Sequence, residues 1–132
     1  MAAKVGRSTG SLGIAMVTWA PISKSALLER IDLGYSAMPE TARRLWSAIR
    51  IEPEKWQQHP FGDPGGGFWV VALMGRTVIW YNDIEEGFNR SAYSKYGVID
   101  DYWRNEDELN VTVDYLENAL ASGRDLALIT KN

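Results

Sequence analysis

The spacing of apolar positions predicts a first helix between Ser23 and Tyr35. Ser23 can cap its N-terminal end, because a serine hydroxyl accepts a hydrogen bond from an unpaired N–H of the first turn. The apolar residues that recur at helical spacing are Leu27, Leu28, Ile31 and Tyr35. They indicate one buried helix face, with Gly34 weakening the last turn.

A second helix is predicted directly after Met38-Pro39. Proline disfavours helix at the residue before it and fits the first helical position, so this dipeptide ends one helix and starts the next. The apolar positions at i, i+3, i+4 and i+7 are Ala42, Leu45, Trp46 and Ile49. Glu40 and Arg44 are spaced to pair along the solvent face of this helix.

Two runs of β-forming residues predict an antiparallel hairpin in the middle of the chain. Residues 68–74 and 77–81 are separated by Gly75-Arg76, which suits a two-residue turn that starts with glycine at positive φ. Strict alternation would place Phe68, Val70 and Ala72 on one side of the first strand and Trp69, Val71 and Leu73 on the other. Because both sides are apolar, the second face of the sheet is either covered or used for binding.

The segments around the hairpin are less regular. Residues 52–67 contain a polar region flanked by prolines, and Asp63-Pro64-Gly65-Gly66-Gly67 at its end predicts a loop before the hairpin. Short strands are expected near 88–89 and 97–99, and the tail at 125–130 is expected to add a short edge strand.

A last helix is predicted from Asn105, which can cap it, with Glu108 completing a capping box. Gly123 is expected to end this helix. Its buried stripe is predicted to consist of Leu109, Val113, Leu116 and Leu120.

Together these elements predict an α+β fold in which an antiparallel sheet, built around the central hairpin, packs against two N-terminal helices and one C-terminal helix. The 132 residues suit one domain, and 45% hydrophobic residues can supply its core. Residues 1–13 are small, polar and rich in glycine and serine, so we expect a mobile N-terminal arm ahead of a single domain at 14–132. Met16 is then a candidate for the native start.

Charge is unevenly distributed along the chain. Residues 1–50 carry seven basic and three acidic side chains, whereas residues 51–132 carry seven basic and fourteen acidic ones. An acidic surface repels phosphate backbones and attracts basic proteins, so we expect a protein partner and no nucleic acid. No apolar run approaches the roughly 20 residues that span a bilayer, so we expect no membrane partner and a cytoplasmic location.

Residues suited to catalysis are few. The chain has no cysteine and one histidine, His59, which lies in the polar region beside Pro60. A thiolate site is therefore excluded, and no spacing of histidine with acidic residues matches a known metal loop. We expect no catalytic residue, no cofactor and no metal.

The candidate binding region is a stretch rich in acidic and aromatic residues. The residues expected to contact a partner are Asp83, Glu85, Glu86, Tyr93, Tyr96, Asp100, Asp101, Tyr102 and Trp103. Tyrosine and tryptophan among negative charges suit a basic protein partner. Two alternatives stay open: a small carbohydrate- or metabolite-binding protein or enzyme that uses the same region, and a homo-oligomer that buries the second sheet face.

The order of these elements resembles the SMI1/KNR4-like (SUKH) superfamily. The features that carry the resemblance are Trp19 and Pro21 before the first helix, Leu33-Gly34 and Met38-Pro39 between helices, Arg43, Leu45 and Trp46 in the second helix, the Gly65-Gly66-Gly67 loop, the strands FWVVALMG and RTVIWYND, and DDYWRNEDEL before the last helix. Many bacterial members are immunity proteins that neutralise toxins. The resemblance implies that the sheet and acidic loops cover the active site of a basic toxin such as a nuclease.

Overall fold

The computed structural model describes residues 19–123. Over this range the chain forms three α-helices and a four-stranded antiparallel sheet, so the predicted α+β fold is confirmed. Three predictions lie outside the described residues: the arm at 1–13, the candidate start at Met16 and the edge strand at 125–130.

Helix α1 spans Lys24–Ser36 and begins where the sequence predicts. The Ser23 hydroxyl accepts a hydrogen bond from the first turn at 3.1 Å, which satisfies one of the unpaired N–H groups there. Leu27 is fully buried, whereas Leu28 and Tyr35 are exposed. The buried face of α1 is therefore narrower than predicted.

Helix α2 spans Glu40–Ile49 and follows Pro39 directly. Ala42, Trp46 and Ile49 are buried, as the helical spacing predicts. Glu40 and Arg44 form an exposed ion pair at 3.3 Å, which confirms the predicted solvent face.

The sheet has the strand order β1-β2-β3-β4, with the strands Arg50–Trp56, Phe68–Met74, Thr77–Asn82 and Gly87–Ala92. Strand β1 occupies the start of the polar region, where the sequence analysis predicts no strand, whereas residues 63–67 form a loop as predicted. Pro53 and the charged residues of β1 hide the strand in the sequence, and an edge strand tolerates both.

The predicted hairpin is confirmed, with β2 and β3 joined at Gly75-Arg76. Gly75 has φ 61°, a value that glycine adopts without steric strain. The strand expected near 88–89 is part of β4. Residues 97–99 pair through isolated bridges at Val98 rather than as a strand.

Helix α3 spans Leu109–Ala121 and starts later than predicted, because Glu108 and not Asn105 occupies the N-cap position. The backbone N–H of Asn105 instead donates to Asn89 Oδ1 at 2.8 Å, so this residue ties the preceding segment to β4. Leu120, predicted to be buried, is 46% exposed.

The rest of the buried stripe of α3 is as predicted, with Leu109, Val113 and Leu116 fully buried. Gly34 of α1 packs directly on this helix, since a Cβ built at Gly34 would lie 2.6 Å from Leu109 Cβ. Gly123, with φ 72°, follows the end of α3 as expected.

The sheet separates two hydrophobic clusters. On the helix face, Val71, Ala72, Ile79, Tyr81 and Phe88 pack with buried residues of the helices. On the opposite side, which we call the loop face, the buried residues are Trp56, Phe68, Val70, Val78, Trp80 and Ile99. The loop face is covered by the segment 93–107 and the loop 57–67, with Trp19 stacked on Phe68 at 6.0 Å.

A β-bulge in β2 alters which residues reach each face. The pairing of β2 with β3 shifts register between Val70 and Ala72. Val71 and Ala72 consequently both lie on the helix face, while Leu73 packs on the loop face. The predicted alternation is wrong for Ala72 and Leu73, because the extra residue of a bulge reverses the facing of those that follow.

Candidate functional site

Polar side chains of β3 and β4 hold the segment 93–107 on the sheet. The Asn82 amide donates to the Trp103 carbonyl at 2.9 Å, and the Ser91 hydroxyl donates to the Asp101 carbonyl at 2.8 Å. Both strand residues are fully buried. Such buried hydrogen bonds are costly to break, so a segment without regular secondary structure is held in one position.

Aromatic rings on the loop face form two groups of ring contacts, one around Phe68 and Tyr102 and one around Trp56, and together we call them the aromatic layer. Its members are Trp19, Trp56, Phe61, Phe68, Trp80, Tyr93, Tyr96 and Tyr102. Trp56, Phe68 and Trp80 are buried at its base. Phe61 and Tyr96 lie at its outer side, with 47% and 59% of their surface exposed.

Phe61 stacks on Tyr102 with ring centroids 4.1 Å apart and an interplanar angle of 19°. Tyr102 in turn lies 5.9 Å from the buried Trp80, so the exposed ring of Phe61 has a rigid base. The sequence predicts a role for Tyr102 but misses Phe61. The available signal was a phenylalanine in an otherwise polar loop.

Tyr96 is held in place by Glu54, which sequence reasoning also missed. The Tyr96 hydroxyl donates to Glu54 Oε1 at 2.5 Å, and the Trp56 indole N–H donates to the same oxygen at 2.9 Å. The hydrogen bond from Tyr96, followed by that from Trp56, lowers the pKa of Glu54. The same contact with Glu54 raises the pKa of Tyr96.

Asp83 does not lie on the surface, although the sequence analysis placed it among the partner-binding residues. Its side chain is 3% exposed, and its Oδ2 accepts a hydrogen bond from the Ile22 N–H at 2.6 Å. Burial raises the pKa of Asp83, while the hydrogen bond from Ile22 opposes that rise. The role of Asp83 is to anchor the segment that leads into α1.

The remaining predicted acidic residues fall at the two ends of β4. Glu85 and Glu86 form the turn before β4, whereas the Asp100 N–H bonds the carbonyl of Ala92 at its far end. Because β4 has six residues, its ends are about 17 Å apart. Asp101 is half-buried beside Asp100.

Further acidic residues lie beside the β3–β4 turn. The Phe88 N–H donates to the Asp107 carbonyl at 2.8 Å, and a Cβ built at Gly87 would lie 2.3 Å from Glu106 Cα. We call this group the turn patch; it consists of Glu85, Glu86, Glu106, Asp107 and Glu108. The exposed rings of Phe61 and Tyr96, together with Tyr102 and Glu54 that contact them, are called the aromatic surface.

Tyr93 and Trp103, the other predicted aromatic contacts, are half-buried. The Tyr93 hydroxyl donates to the Gly75 carbonyl at 3.0 Å, so this ring connects the covering segment to the hairpin turn. Tyr93 and Trp103 therefore pack under the aromatic surface and are not among its exposed rings.

The described residues offer little for a metal site or a membrane span. Within residues 19–123 no group of three or more His, Cys, Asp or Glu side chains is arranged to hold a metal ion. No helix in that range is long and apolar enough to cross a membrane. A surface depression of about 390 Å³ lies away from the aromatic surface, between α1 and α2, and is lined by Tyr35, Glu40, Arg43, Arg44 and Ser47.

Comparisons with protein-family models, curated proteins and solved structures found no match to this chain. The resemblance to the SMI1/KNR4-like superfamily therefore depends on the order of sequence features alone. Function has to be inferred from the aromatic surface and the turn patch themselves.

Proposed function

We propose that this protein binds a basic protein partner through the aromatic surface. The observation that carries the proposal is the exposure of Phe61 and Tyr96 on a buried aromatic base. Aromatic side chains that are already fixed lose little conformational freedom on binding, and such residues supply most of the affinity in many protein interfaces.

Charge supports the choice of a basic partner. Eight acidic side chains lie between Asp83 and Glu108 in the sequence, and seven of them are outside the core. The turn patch makes none of the contacts described within residues 19–123 for Phe61 and Tyr96, whose partners are Glu54, Trp56 and Tyr102. Its expected contribution is therefore to steer association, while the rings determine how long the complex lasts.

The resemblance to the SMI1/KNR4-like superfamily supports a more specific form of the proposal. In this form the protein is a cytoplasmic immunity protein whose aromatic surface covers the active site of a basic toxin. Inhibition would be steric and electrostatic, so the protein would need no catalytic residue or cofactor of its own.

The two alternatives differ in what they require of the loop face. A homo-oligomer built by sheet-to-sheet contact needs that face to be bare, but the segment 93–107 covers it. A sugar ring could stack on Phe61, since exposed aromatic rings suit carbohydrates as well as proteins. Glycan binding is therefore the competing outcome of the test.

The test is capture of a partner from the source cells by three purified forms of the protein: wild type, the double variant Phe61→Ser/Tyr96→Ser, and the control Leu33→Ser. Leu33 is 65% exposed on α1, so its replacement removes a similar apolar area elsewhere. We expect a basic protein to bind the wild type and the control, and to be lost from the double variant. Titration calorimetry with the identified protein at two salt concentrations then measures the electrostatic part.

Equal binding of the captured protein by all three forms would contradict the proposal. A glycan that quenches tryptophan fluorescence in the wild type but not in the double variant, without any protein partner, would favour the carbohydrate alternative.

A further inference from the structure

We propose that Glu54 and Tyr96 form a binding position for a guanidinium group, so that the central contact of the partner is an arginine side chain. This inference rests on the proposed function, because it names the chemistry that the aromatic surface recognises. It depends on the carboxylate, on the ring beside it and on the charges nearby.

The carboxylate of Glu54 is held in one orientation. Its Oε1 accepts hydrogen bonds from the Tyr96 hydroxyl and from the Trp56 indole, whose ring is buried. Both hydrogen bonds described for Glu54 within residues 19–123 end on Oε1, which leaves Oε2 as the oxygen for a ligand. A carboxylate that is already oriented binds a planar donor without losing further side-chain entropy.

The ring of Tyr96 lies beside this carboxylate and is open to solvent. Its centroid is 4.7 Å from that of Trp56, with an interplanar angle of 52°, so the buried indole supports the ring on one side. With 59% of Tyr96 exposed, another surface of the ring is accessible to a ligand. A guanidinium group can stack on an aromatic ring while it donates to a carboxylate, whereas the ammonium of lysine is a point charge without a flat surface.

The local charges are also suited to a cation. Glu52, two residues earlier on the same strand, pairs with Lys24 of α1. Glu54 instead accepts from a phenol and an indole, which are neutral donors, and it forms no ion pair within residues 19–123. Because these hydrogen bonds lower the pKa of Glu54, the carboxylate stays ionised at neutral pH.

The inference is tested with two small probes, N-acetyl-arginine methylamide and N-acetyl-lysine methylamide. Each is titrated into the full chain while the indole N–H signal of Trp56 is followed by NMR. We expect the arginine probe to shift this signal at millimolar concentration and to bind at least about fivefold more tightly than the lysine probe.

Three variants make the test specific. Glu54→Gln keeps an acceptor for Tyr96 and Trp56 but removes the charge, and Tyr96→Leu removes the ring. We expect each to abolish the preference for arginine. Glu29→Gln removes one negative charge from the exposed side of α1, outside the aromatic surface, and we expect it to change arginine binding by less than about twofold. The indole signals of Trp46 and Trp80, both buried, report whether each variant is folded.

Equal binding of the two probes, or unchanged arginine binding by folded Glu54→Gln, would overturn the inference. The proposed function would survive that result if the Phe61→Ser/Tyr96→Ser variant still lost the protein partner. A preference for arginine that depends on Glu54 would support the inference even if no protein partner depended on the double variant.

Discussion

The helix face and the loop face of the sheet are both buried, but they are buried by different means. On the helix face, regular helices present aliphatic residues such as Leu27 and Leu116 to the sheet. On the loop face, an irregular segment presents aromatic rings, and hydrogen bonds from residues such as Asn82 and Ser91 hold it there. The helix face is thus stabilised mainly by packing, whereas the loop face needs packing and buried polar contacts together.

This difference bears on where a binding surface can form. The helices expose charged pairs such as Glu40–Arg44 and single aliphatic side chains such as Leu33, which is 65% exposed. The loop 57–67 and the segment 93–107 instead leave aromatic rings exposed, at Phe61 and Tyr96, and each of these rings contacts another ring of the aromatic layer. The face without helices therefore offers rigid apolar groups to a partner.

The largest effect on stability is expected from truncating one fully buried side chain on each face of the sheet. Trp80→Ala and Leu116→Ala should lower the free energy of unfolding by about 3–5 and 2–5 kcal/mol, because each side chain is fully buried and leaves a cavity. Urea unfolding followed by circular dichroism measures both. A loss below about 1 kcal/mol for Trp80→Ala would mean that the aromatic layer is not part of the cooperative core.

A smaller and more local effect is expected from the polar contacts on the loop face. Asn89 Oδ1 accepts from the Asn105 N–H at 2.8 Å, and its amide donates to the Asn105 carbonyl at 3.2 Å. Asn89→Ala leaves these backbone groups without partners and should cost about 1–3 kcal/mol. Amide hydrogen exchange should accelerate in residues 100–107 more than in the helices.

The matched control is Asn118→Ala on the solvent side of α3, where the asparagine pairs with Asp114 at 3.3 Å in an exposed position. Its effect should stay within about 0.5 kcal/mol. If Asn89→Ala accelerates exchange equally in α3 and in 100–107, the segment does not open independently and the contrast between the two faces is wrong.

The same contrast explains which parts of the fold could be predicted from sequence. Helices α1 and α2 and the hairpin follow from local periodicity and turn residues, which the sequence displays directly. Strand β1 is hidden because Pro53 and its charged neighbours suit an edge position that only the sheet defines. The bulge after Val70 leaves no local signal, since the strand is apolar on both sides of it.

For the candidate site, the sequence indicated that acidic and aromatic residues form it, but it did not indicate which of them meet in the fold. Tyr96 and Tyr102, which the sequence analysis expects to contact a partner, both lie in the aromatic surface. Glu54 and Phe61 come from a segment about 40 residues earlier, and the long-range hydrogen bond and ring stack that join them have no local pattern. Asp83 belongs to the acidic and aromatic stretch of the sequence, but in the fold its carboxylate is buried and accepts a hydrogen bond from a backbone N–H.

The smallest expected effect concerns the pH dependence of Glu54 and Asp83, whose pKa values are shifted in opposite directions. Hydrogen bonds from Tyr96 and then Trp56 lower the pKa of Glu54, so the folded state binds this proton more weakly than the unfolded state. The resulting stabilisation is complete above the ordinary glutamate value of 4.5 and is lost as pH falls through the lowered pKa. Burial raises the pKa of Asp83 above its ordinary value of 3.8. As pH rises from that ordinary value through the raised pKa, ionisation of Asp83 therefore lowers the free energy of unfolding.

Carboxyl NMR titration should find Glu54 titrating below the ordinary glutamate range and Asp83 above the ordinary aspartate range. Urea unfolding is measured from pH 7 downwards. Glu54→Gln should lack the loss of stability that protonation of Glu54 causes in the wild type, and Asp83→Asn should lack the gain that protonation of Asp83 causes. Because Glu54 is close to solvent, salt and water screening keep its effect small. A normal pKa for Glu54 would show that its hydrogen bonds with Tyr96 and Trp56 are not maintained in solution, and Tyr96 would then not be a fixed anchor.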